Sequence, residues 1–494
     1  MDKIKKYCFY LSIAIIGLFA LYLQTKLYIS SSVFEDDECR LALAMMDKNI
    51  IQMFLPLGAF SSTPIFMAVS KIIAEITNYS EYALKFLPFV FSVLSLWLFY
   101  KICSGYFKRK VSVILGLYLL AVNQHIIYFS SIFKTYSLEI LITLLCLYYF
   151  PKINFCEFNK KQLVILSAVI AILPLISLPS LFFIGILFLI NIYENFKNKD
   201  FYKKFALIIV PFLIVFSLYY FVNLLPTKEL QLANYAELWE NVYSVPFISN
   251  IAVILKFLTS PNSYILFTLI LVCYSLIFIA VNKNEHTRFN TYIVISPVLS
   301  VLVSYFNIYP TLIGRTALFI APVLFIILIK PIDVLNTKKM SFYIVCALFF
   351  AGLYQFFTPS YLNKLNDVNT SFRNFSPKVL IQDIKANYNK QTDNIVTTEA
   401  SAYSFTFYSI KSNFIITDFL MPKINSENRR KFLFDYYNNL NPNKNYWFYL
   451  IKEYEKSPQR EYTLEWLKNQ NIIYNKKDRD SYLYYISGIR KTNP

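Results

Sequence analysis

The sequence predicts a mainly α-helical, polytopic membrane protein with a small α/β domain at its C-terminal end. Long apolar runs recur as far as residue 357, and hydrophobic residues make up 56% of the 494-residue chain. Charged residues account for only 16%, against about 25% in soluble domains, and the mean hydropathy is +0.44. After residue 357 the composition shifts toward Asn, Lys, Asp and Tyr. We therefore expect a transmembrane domain over residues 1–357 and a separate domain over residues 358–494.

The apolar runs predict about eleven transmembrane helices, since a helix needs about 20 apolar residues to cross the hydrocarbon layer. The predicted spans are 8–29, 84–103, 111–128, 135–151, 162–177, 180–193, 205–225, 263–282, 291–308, 312–330 and 341–357. Pro174 and Pro179 interrupt the segment 162–193. That segment forms either two helices or one broken element.

The placement of Lys and Arg predicts the orientation of these spans, because cytoplasmic loops carry an excess of basic residues. Every second loop is basic, at 108–110, 160–161, 197–204, 283–288 and 338–339. With a cytoplasmic N-terminus, the loop 30–83, the turn 129–134, the loop 226–262 and the C-terminal domain lie outside. The net charge of +18 follows from this arrangement, so we expect a multi-pass plasma-membrane protein and no nucleic-acid partner.

The C-terminal segment has no apolar run long enough to cross a membrane. Residues 393–400 (DNIVTTEA) and 413–419 (NFIITDF) are rich in β-branched residues and are predicted to be strands. Residues 462–474 (YTLEWLKNQNIIY) read as a helix that leads into a strand. These segments predict a small mixed α/β domain.

Four consecutive acids, Glu35-Asp36-Asp37-Glu38, follow directly after the first apolar span. They open the predicted outer loop 30–83, whose segments 41–57 and 64–76 carry apolar residues at helical spacing and are expected to lie along the membrane surface. A carboxylate held beneath such helices could act as a general base or bind a cation. A solvated acidic turn after a helix is the alternative.

The stretch VFEDDECRLALAMM, residues 33–46, resembles the Asp-Glu motif that follows the first helix in polyprenyl-phosphate-dependent glycosyltransferases of the GT-C fold. That group includes the protein mannosyltransferases and the bacterial aminoarabinose transferases. Asp37 and Glu38 match the motif best. The resemblance continues at Pro56-Leu57, Thr63-Pro64 and residues 80–85, where Lys85 stands in place of the usual Arg and keeps the charge without the bidentate fork.

A second stretch, YFSSIFKTYSLE at residues 128–139, resembles the segment at the outer start of the fourth helix in bacterial members of the same group. Lys134 and Tyr136 match, whereas Ile132 stands where a Glu is common. A Lys at an outer membrane boundary either extends toward the lipid headgroups or contacts an anionic lipid phosphate. The neighbouring motif favours the phosphate.

A third stretch, IYPTLIGRTALFIAP at residues 308–322, resembles a block near the end of the membrane domain in these transferases. The matching residues are Tyr309, Pro310, Arg315, Leu318, Phe319 and Pro322. Arg315 is the only positive charge between Phe289 and Lys330. Because an unpaired Arg inside a membrane is costly, it should face a partner or a polar cavity, and a purely structural ion pair is the alternative.

The resemblance implies an inverting glycosyltransferase that moves a sugar from a polyprenyl-phosphate carrier to a lipid, glycan or protein acceptor at the outer membrane face. Asp37 would be the general base and Glu38 would orient it or the sugar. Cations would stabilise the leaving phosphate. The candidates for phosphate binding are Lys134, Arg315 and Lys85, and the supporting candidates are Tyr136, Asp36 and Tyr309.

No cofactor is expected, and a divalent ion on the acidic quartet stays open although the resemblance does not call for one. With two histidines in the chain and no Cys-x-x-Cys pair, a zinc site is not expected. Two other functions remain as alternatives: a polysaccharide polymerase or ligase, and a transporter or flippase of lipid-linked sugars. A transporter predicts charges in the middle of helices and internal repeats, neither of which the sequence has.

Overall fold

The computed structural model describes residues 2–30, 33–58, 63–233, 287–305, 314–334, 377–414, 416, 419–422, 429–451, 458–477 and 481–490. The chain divides into two compact units. The helical unit comprises Met1–Ile29 and Lys48–Leu365, and the mixed unit comprises Ser30–Asp47 and Asn366–Pro494. The acidic quartet therefore belongs to the unit that contains the C-terminal residues. The sequence had placed the whole loop 30–83 with the transmembrane domain.

The helical unit consists of α-helices joined mostly by short connections. In chain order they are α1 (Asp2–Ser30, whose last residue belongs to the mixed unit), α3 (Pro64–Ile76), α4 (Glu81–Tyr106), α5 (Lys110–Val122), α6 (Gln124–Phe129), α7 (Tyr136–Tyr149), α8 (Lys160–Ile176), α9 (Ser180–Asn195), α10 (Lys199–Tyr219), α11 (Thr287–Tyr305) and α12 (Ala321–Val334). α2 (Asp36–Met46) lies in the mixed unit. Short 3-10 helices include Ile51–Phe54 and Gly314–Ile320, and a π-helical turn at Tyr220–Leu224 continues α10.

The segment 162–193, left open as two helices or one broken element, and the predicted span 111–128 can both be compared with the observed helices. The segment 162–193 forms two helices, α8 and α9, which are separated at residues 177–179. The predicted span 111–128 also divides, into α5 and α6. The buried Asn123 side chain accepts hydrogen bonds from the backbone N–H groups of His125 and Ile126, so it caps a new helix.

Three helices of the described chain are long and apolar enough to cross a membrane: Lys6–Ser30, Glu81–Tyr106 and Lys199–Ala233. Shorter apolar helices occur at Lys110–Val122, Ser180–Asn195, Thr287–Val303 and Thr316–Lys330. These helices support a membrane location. The predicted spans 263–282 and 341–357 and residues 234–262 of the predicted outer loop lie outside the described residues, so the number of about eleven spans stays a prediction. Residues 226–233, predicted as the start of that loop, instead continue the helix Lys199–Ala233, because the apolar helix extends beyond the predicted span 205–225.

Helix α7 lies at the centre of the described part of the helical unit. It packs against α4, α9 and the 3-10 helix Gly314–Ile320, and nearly every side chain from Ser137 to Leu144 is buried. Its sequence has no polar stripe, and a helix that is apolar all round is expected to be covered on all sides. The elements that surround α7 carry the cations discussed below.

The mixed unit contains a four-stranded sheet in the order β1-β2-β4-β3. The strands are β1 (Asp393–Thr397), β2 (Asn445–Ile451), β3 (Ile472–Lys477) and β4 (Ser481–Ser487). β1 and β2 are parallel, and β4 runs antiparallel to both β2 and β3. The helices are α13 (Pro377–Asn387), α14 (Glu399–Lys411), α15 (Arg429–Asn438) and α16 (Pro458–Leu467), together with α2.

The predicted elements of this unit are largely present. Strand β1 lies within the first predicted strand, residues 393–400. Helix α16 leads into β3, as the pattern at 462–474 predicted. The predicted strand 413–419 is wrong for the residues described there, since none of them is in a strand. The next residue, Leu420, makes an isolated parallel bridge to Val396. Residues 399–411 form helix α14, which begins within the predicted strand 393–400.

Candidate active site

The acids Asp36, Asp37 and Glu38 form the first turn of α2, and Glu35 is its N-cap residue. Glu38 and Glu35 form a capping box, in which Glu38 Oε2 accepts a hydrogen bond of 2.8 Å from the Glu35 backbone N–H. Negative charges at a helix N-terminus are also favoured by the helix dipole. The quartet is therefore built into a helix start and is not a loose acidic turn.

The acids of this turn differ in exposure. The Glu38 side chain is 0% exposed and one of its oxygens is held by the capping contact. Asp37 is half-buried, so its carboxylate keeps access to solvent. Of Asp37 and Glu38, this arrangement leaves Asp37 the more accessible and gives Glu38 a part in holding the turn.

Lys85 lies one turn into α4 and is 0% exposed. A fully buried ammonium group costs several kcal/mol unless it is paired, and such groups are usually retained for a purpose. The start of α4 is anchored within the helical unit. The Tyr28 hydroxyl donates to the Tyr82 carbonyl at 3.0 Å, and the Tyr82 hydroxyl donates to the Ile29 carbonyl at 3.1 Å.

Lys134 lies on a tightly bonded turn between α6 and α7. The hydroxyls of Ser130 and Ser131 donate to backbone carbonyls of α6, at 2.6 and 2.9 Å. The buried Phe133 ring lies 5.6 Å from the Phe66 ring of α3, and the Lys134 backbone N–H donates to the Ile132 carbonyl. The half-buried Lys134 side chain thus starts from a backbone that is already ordered.

Tyr136 is the first residue of α7. Its ring meets the Phe129 ring edge-on at 4.7 Å, and the adjacent Ser137 hydroxyl donates to the Phe129 carbonyl at 3.1 Å. These contacts tie the end of α6 to the start of α7. Tyr136 therefore lies beside the turn that carries Lys134.

Arg315 is the second residue of the 3-10 helix Gly314–Ile320. This helix packs against α6 and α7, and the Phe319 ring stacks on Phe182 of α9 at 5.5 Å. Tyr309, which the third motif gives as a supporting site residue, lies outside the described residues.

The three predicted cations thus occur on α4, on the turn before α7 and on the 3-10 helix Gly314–Ile320, and α7 packs against α4 and against that 3-10 helix. α4 carries Lys85, the turn before α7 carries Lys134, and the 3-10 helix carries Arg315. The predicted acids Asp36, Asp37 and Glu38 lie together on α2 of the mixed unit. Elements from distant parts of the sequence, such as α7 and the 3-10 helix Gly314–Ile320, are in this way packed together.

Glu139 is the last residue of the second motif, 128–139, and the sequence assigned it no role. The structure buries it to 5% exposure, and Glu139 Oε1 accepts a 2.8 Å hydrogen bond from the Thr135 hydroxyl. Its second oxygen has no hydrogen-bond partner among the described residues. Because Thr135 lies between Lys134 and Tyr136, this contact fixes the turn that presents the Lys. Only the acid's position, one turn into an apolar helix, could have indicated this role.

Among the residues that the structure describes, no group of three or more His, Cys, Asp or Glu side chains is placed to hold a metal ion. Glu38 of the first turn of α2 is occupied by the capping contact with Glu35.

Comparison with solved structures identifies the architecture. ArnT from Cupriavidus metallidurans bound to undecaprenyl phosphate has a TM-score of 0.54 over 97% of this chain and 99% of its own, with 10% sequence identity. Its apo state has a TM-score of 0.51 with the same coverage and 11% identity. The chain has the GT-C fold. The family resemblance read from the three sequence motifs is confirmed at the level of the fold.

The GT-C architecture is recognised here from structure, because sequence comparison alone finds little. No family model matches the chain, and no curated protein matches it. The Archaeoglobus fulgidus oligosaccharyltransferase has a TM-score of 0.47 at 11% identity, over 96% of this chain and 73% of its own. At these identities, side-chain chemistry must be argued from the residues of this GT-C chain itself.

Proposed function

We propose that this protein is an inverting glycosyltransferase that moves a sugar from a polyprenyl-phosphate carrier to an acceptor on the extracytoplasmic face of the membrane. The observation that carries the proposal is a GT-C fold in which α7, which follows the Lys134 turn, packs against both the helix that carries Lys85 and the 3-10 helix that carries Arg315. A leaving lipid phosphate needs positive charge placed in advance. The ArnT structure of the same fold was solved with undecaprenyl phosphate bound, which supports this class of donor.

Asp37 is proposed as the general base. Its carboxylate would accept the proton of an acceptor hydroxyl while the hydroxyl oxygen forms a bond to the anomeric carbon of the sugar. Asp37 is half-buried, which leaves room for an acceptor to approach. Glu38 would hold the first turn of α2 through its contact with Glu35 and so orient Asp37, and Asp36 would add negative charge nearby.

The bond between the anomeric carbon and the carrier phosphate breaks in the same step, and its electron pair stays on the phosphate oxygen. Lys134, Arg315 and Lys85 would stabilise the charge that develops there. Tyr136 and Tyr309 are proposed to support donor binding beside these cations. A single displacement inverts the anomeric centre, and the proposal includes no metal ion or cofactor.

The Asp37→Asn variant tests this proposal. Transfer from a radiolabelled polyprenyl-phosphate sugar is measured in membranes, and the rate is expected to fall by about 10²-fold or more, as for loss of a general base. Asp36→Asn is the matched control, since it removes a charge from the same helical turn, and it should change the rate only a few-fold.

Other outcomes would point elsewhere. Full transfer by Asp37→Asn would exclude Asp37 as the base. Absence of transfer by the unaltered protein across a panel of carrier sugars, with movement of the carrier lipid between leaflets, would favour a transporter. Products that contain repeated sugar units would favour a polymerase or ligase. The same panel, tested with lipid, glycan and protein acceptors, identifies the substrates.

A further inference from the structure

The first turn of α2 is attached to the mixed unit by contacts on both of its sides. Phe34 lies three residues before Asp37, and its backbone N–H donates a 2.8 Å hydrogen bond to the Tyr408 hydroxyl of α14. Arg40 lies three residues after Asp37, and its guanidinium lies 4.2 Å above the Tyr403 ring of the same helix. The acids are therefore held between two contacts with α14.

The contact at Phe34 is the more strongly constrained of the two. Both Phe34 and Tyr408 are buried, with Tyr408 at 0% exposure, and the Phe34 ring also packs on Phe407 at 5.3 Å. A buried backbone N–H that loses its acceptor is costly, since water cannot replace the bond. The Tyr408 hydroxyl thus fixes the backbone just before the acids.

The buried face of α2 extends this attachment along the helix. Cys39, Leu41, Ala42 and Met45 are all at most 1% exposed, and α2 packs against α14. A helix that is covered along one side by apolar contacts cannot rotate without exposing that side to water. The rotation that sets the direction of the half-buried Asp37 is therefore determined by α14.

Helix α14 is in turn fixed to the central sheet. The Ser404 and Tyr449 hydroxyls lie 3.0 Å apart, and the Phe405 ring meets the Tyr449 ring at 5.5 Å. Tyr449 is in β2, which pairs in parallel with β1. A continuous series of buried contacts therefore runs from the sheet through α14 to the acidic turn.

We propose that the C-terminal residues form a positioning element of the active site, and that Tyr408 is a positioning residue that sets the direction of Asp37. This inference rests on the proposed function, since it gives Asp37 the role of general base. It assigns the C-terminal segment a part in catalysis, beyond that of an appended domain. A small misplacement of a reacting group can cost about 10²-fold in rate, so loss of this contact should be visible in kcat.

The Tyr408→Phe variant of the full-length protein is the test, and Tyr437→Phe is its matched control. Tyr437 is also 0% exposed and its hydroxyl bonds the Thr463 hydroxyl at 2.8 Å, in the core formed by α15 and α16. Each variant loses one buried hydroxyl of the mixed unit, but only Tyr408 contacts the segment before the acids. Any general loss of stability is therefore shared by the two variants.

Two measurements are made on each variant. We expect Tyr408→Phe to lower kcat by about 10- to 100-fold with little change in the KM for the lipid-phosphate sugar, and to speed hydrogen exchange at residues 33–40. We expect Tyr437→Phe to leave both near the values of the unaltered protein. Equal kcat in the two variants, or unchanged exchange at residues 33–40 in Tyr408→Phe, would overturn the proposal.

A second variant keeps the test decisive if Tyr408→Phe does not fold. Tyr403 is half-buried, so Tyr403→Leu should fold while it removes the ring beneath Arg40, and a several-fold drop in kcat is expected. An unchanged kcat would count against the proposal. Failure of the proposed function gives a different result. Asp37→Asn would then retain transfer, whereas Tyr408→Phe and Tyr403→Leu would still change hydrogen exchange at residues 33–40.

Discussion

At the scale of single residues, the candidate site depends on side chains whose backbones are ordered before any ligand binds. The Lys134 turn is held by two Ser hydroxyls and by the bond between Thr135 and Glu139. Donors that are already in place need not be reorganised when charge develops on a leaving group. This order is what a phosphate-binding role for Lys134 requires, and the variants below test that role.

The role of Lys134 gives the prediction at this scale. Lys134→Gln should lower kcat/KM for the lipid-phosphate donor by about 10²-fold, because it removes one preorganised cation. Lys134→Arg keeps the charge and should retain activity within about tenfold of the unaltered protein. The measurement is the initial rate of transfer as a function of donor concentration.

A control for this prediction is Lys101→Gln, which removes an exposed Lys that lies over the Trp97 ring of α4. Its rate should stay unchanged. If Lys134→Gln and Lys101→Gln reduce transfer equally, Lys134 serves the membrane boundary and does not bind the phosphate.

At the scale of elements, the start of α2 holds Glu38, which supports the helix start, and Asp37, which is the proposed general base. Glu38 is buried and accepts from the Glu35 backbone N–H, whereas Asp37 is half-buried in the same turn. The capping box explains why a run of acids can begin a helix that is otherwise apolar on its buried face. The capping box also assigns Glu38 to holding the turn, which leaves Asp37 as the candidate for the general base.

This division predicts different results for two changes at Glu38. Glu38→Gln keeps an acceptor oxygen for the Glu35 N–H, and Gln is accepted at this position of a capping box, so transfer should stay within a few-fold. Glu38→Ala leaves that N–H without its acceptor and should destabilise the turn by about 1 kcal/mol, with a matching loss of rate. Activity assays and thermal melts of both variants are the measurement. Equal loss in both would mean that the Glu38 charge itself is needed.

At the scale of the whole molecule, the chain forms a helical unit that carries the cations and a mixed unit that carries the acids. The stability of the mixed unit therefore bears directly on the acidic turn. Its sheet is held in part by Asp393, which is 2% exposed and accepts hydrogen bonds from the Thr392 hydroxyl, the Asn445 amide, the Trp447 indole and the Asn389 backbone N–H.

These bonds predict an acid-sensitive mixed unit. Burial by itself would raise the pKa of Asp393, but the hydrogen bonds to its charged form outweigh burial and lower the pKa below its ordinary value of 3.8. A group with a lowered pKa in the folded state stabilises the fold above the unfolded pKa, and that stability is lost as the pH falls through the folded pKa. The melting temperature of the mixed unit should therefore drop as the pH falls below about 4.

Tryptophan fluorescence of the full-length protein in detergent provides the measurement, and Trp447, whose indole donates to Asp393 at 3.1 Å, is one of the four tryptophans that contribute to it. Asp393→Asn should lower the melting temperature at pH 7 and weaken its dependence on acid. Asp435→Asn, which changes an exposed carboxylate of α15, should behave as the unaltered protein does. An acid dependence that survives in Asp393→Asn would contradict the assignment.

The sequence by itself determined the local features of this protein. Apolar run length identified α1, α4, α7 and α10, and the motif residues Asp37, Lys85, Lys134 and Arg315 were named without coordinates. These features depend on neighbours along the chain, such as helical periodicity, caps and the need to bury apolar side chains. The division at Asn123 was missed because a polar residue within an apolar run can lie inside one helix or begin the next.

The tertiary structure decided which of these elements lie together. Periodicity shows that a face of α2 is apolar, but it does not show that α14, more than 350 residues later, covers it. In the same way, only tertiary packing places α4, which carries Lys85, and the 3-10 helix that carries Arg315 against α7, which follows the Lys134 turn. Such contacts are set by the competition among all apolar surfaces of the chain, and that competition is resolved only when the whole chain folds.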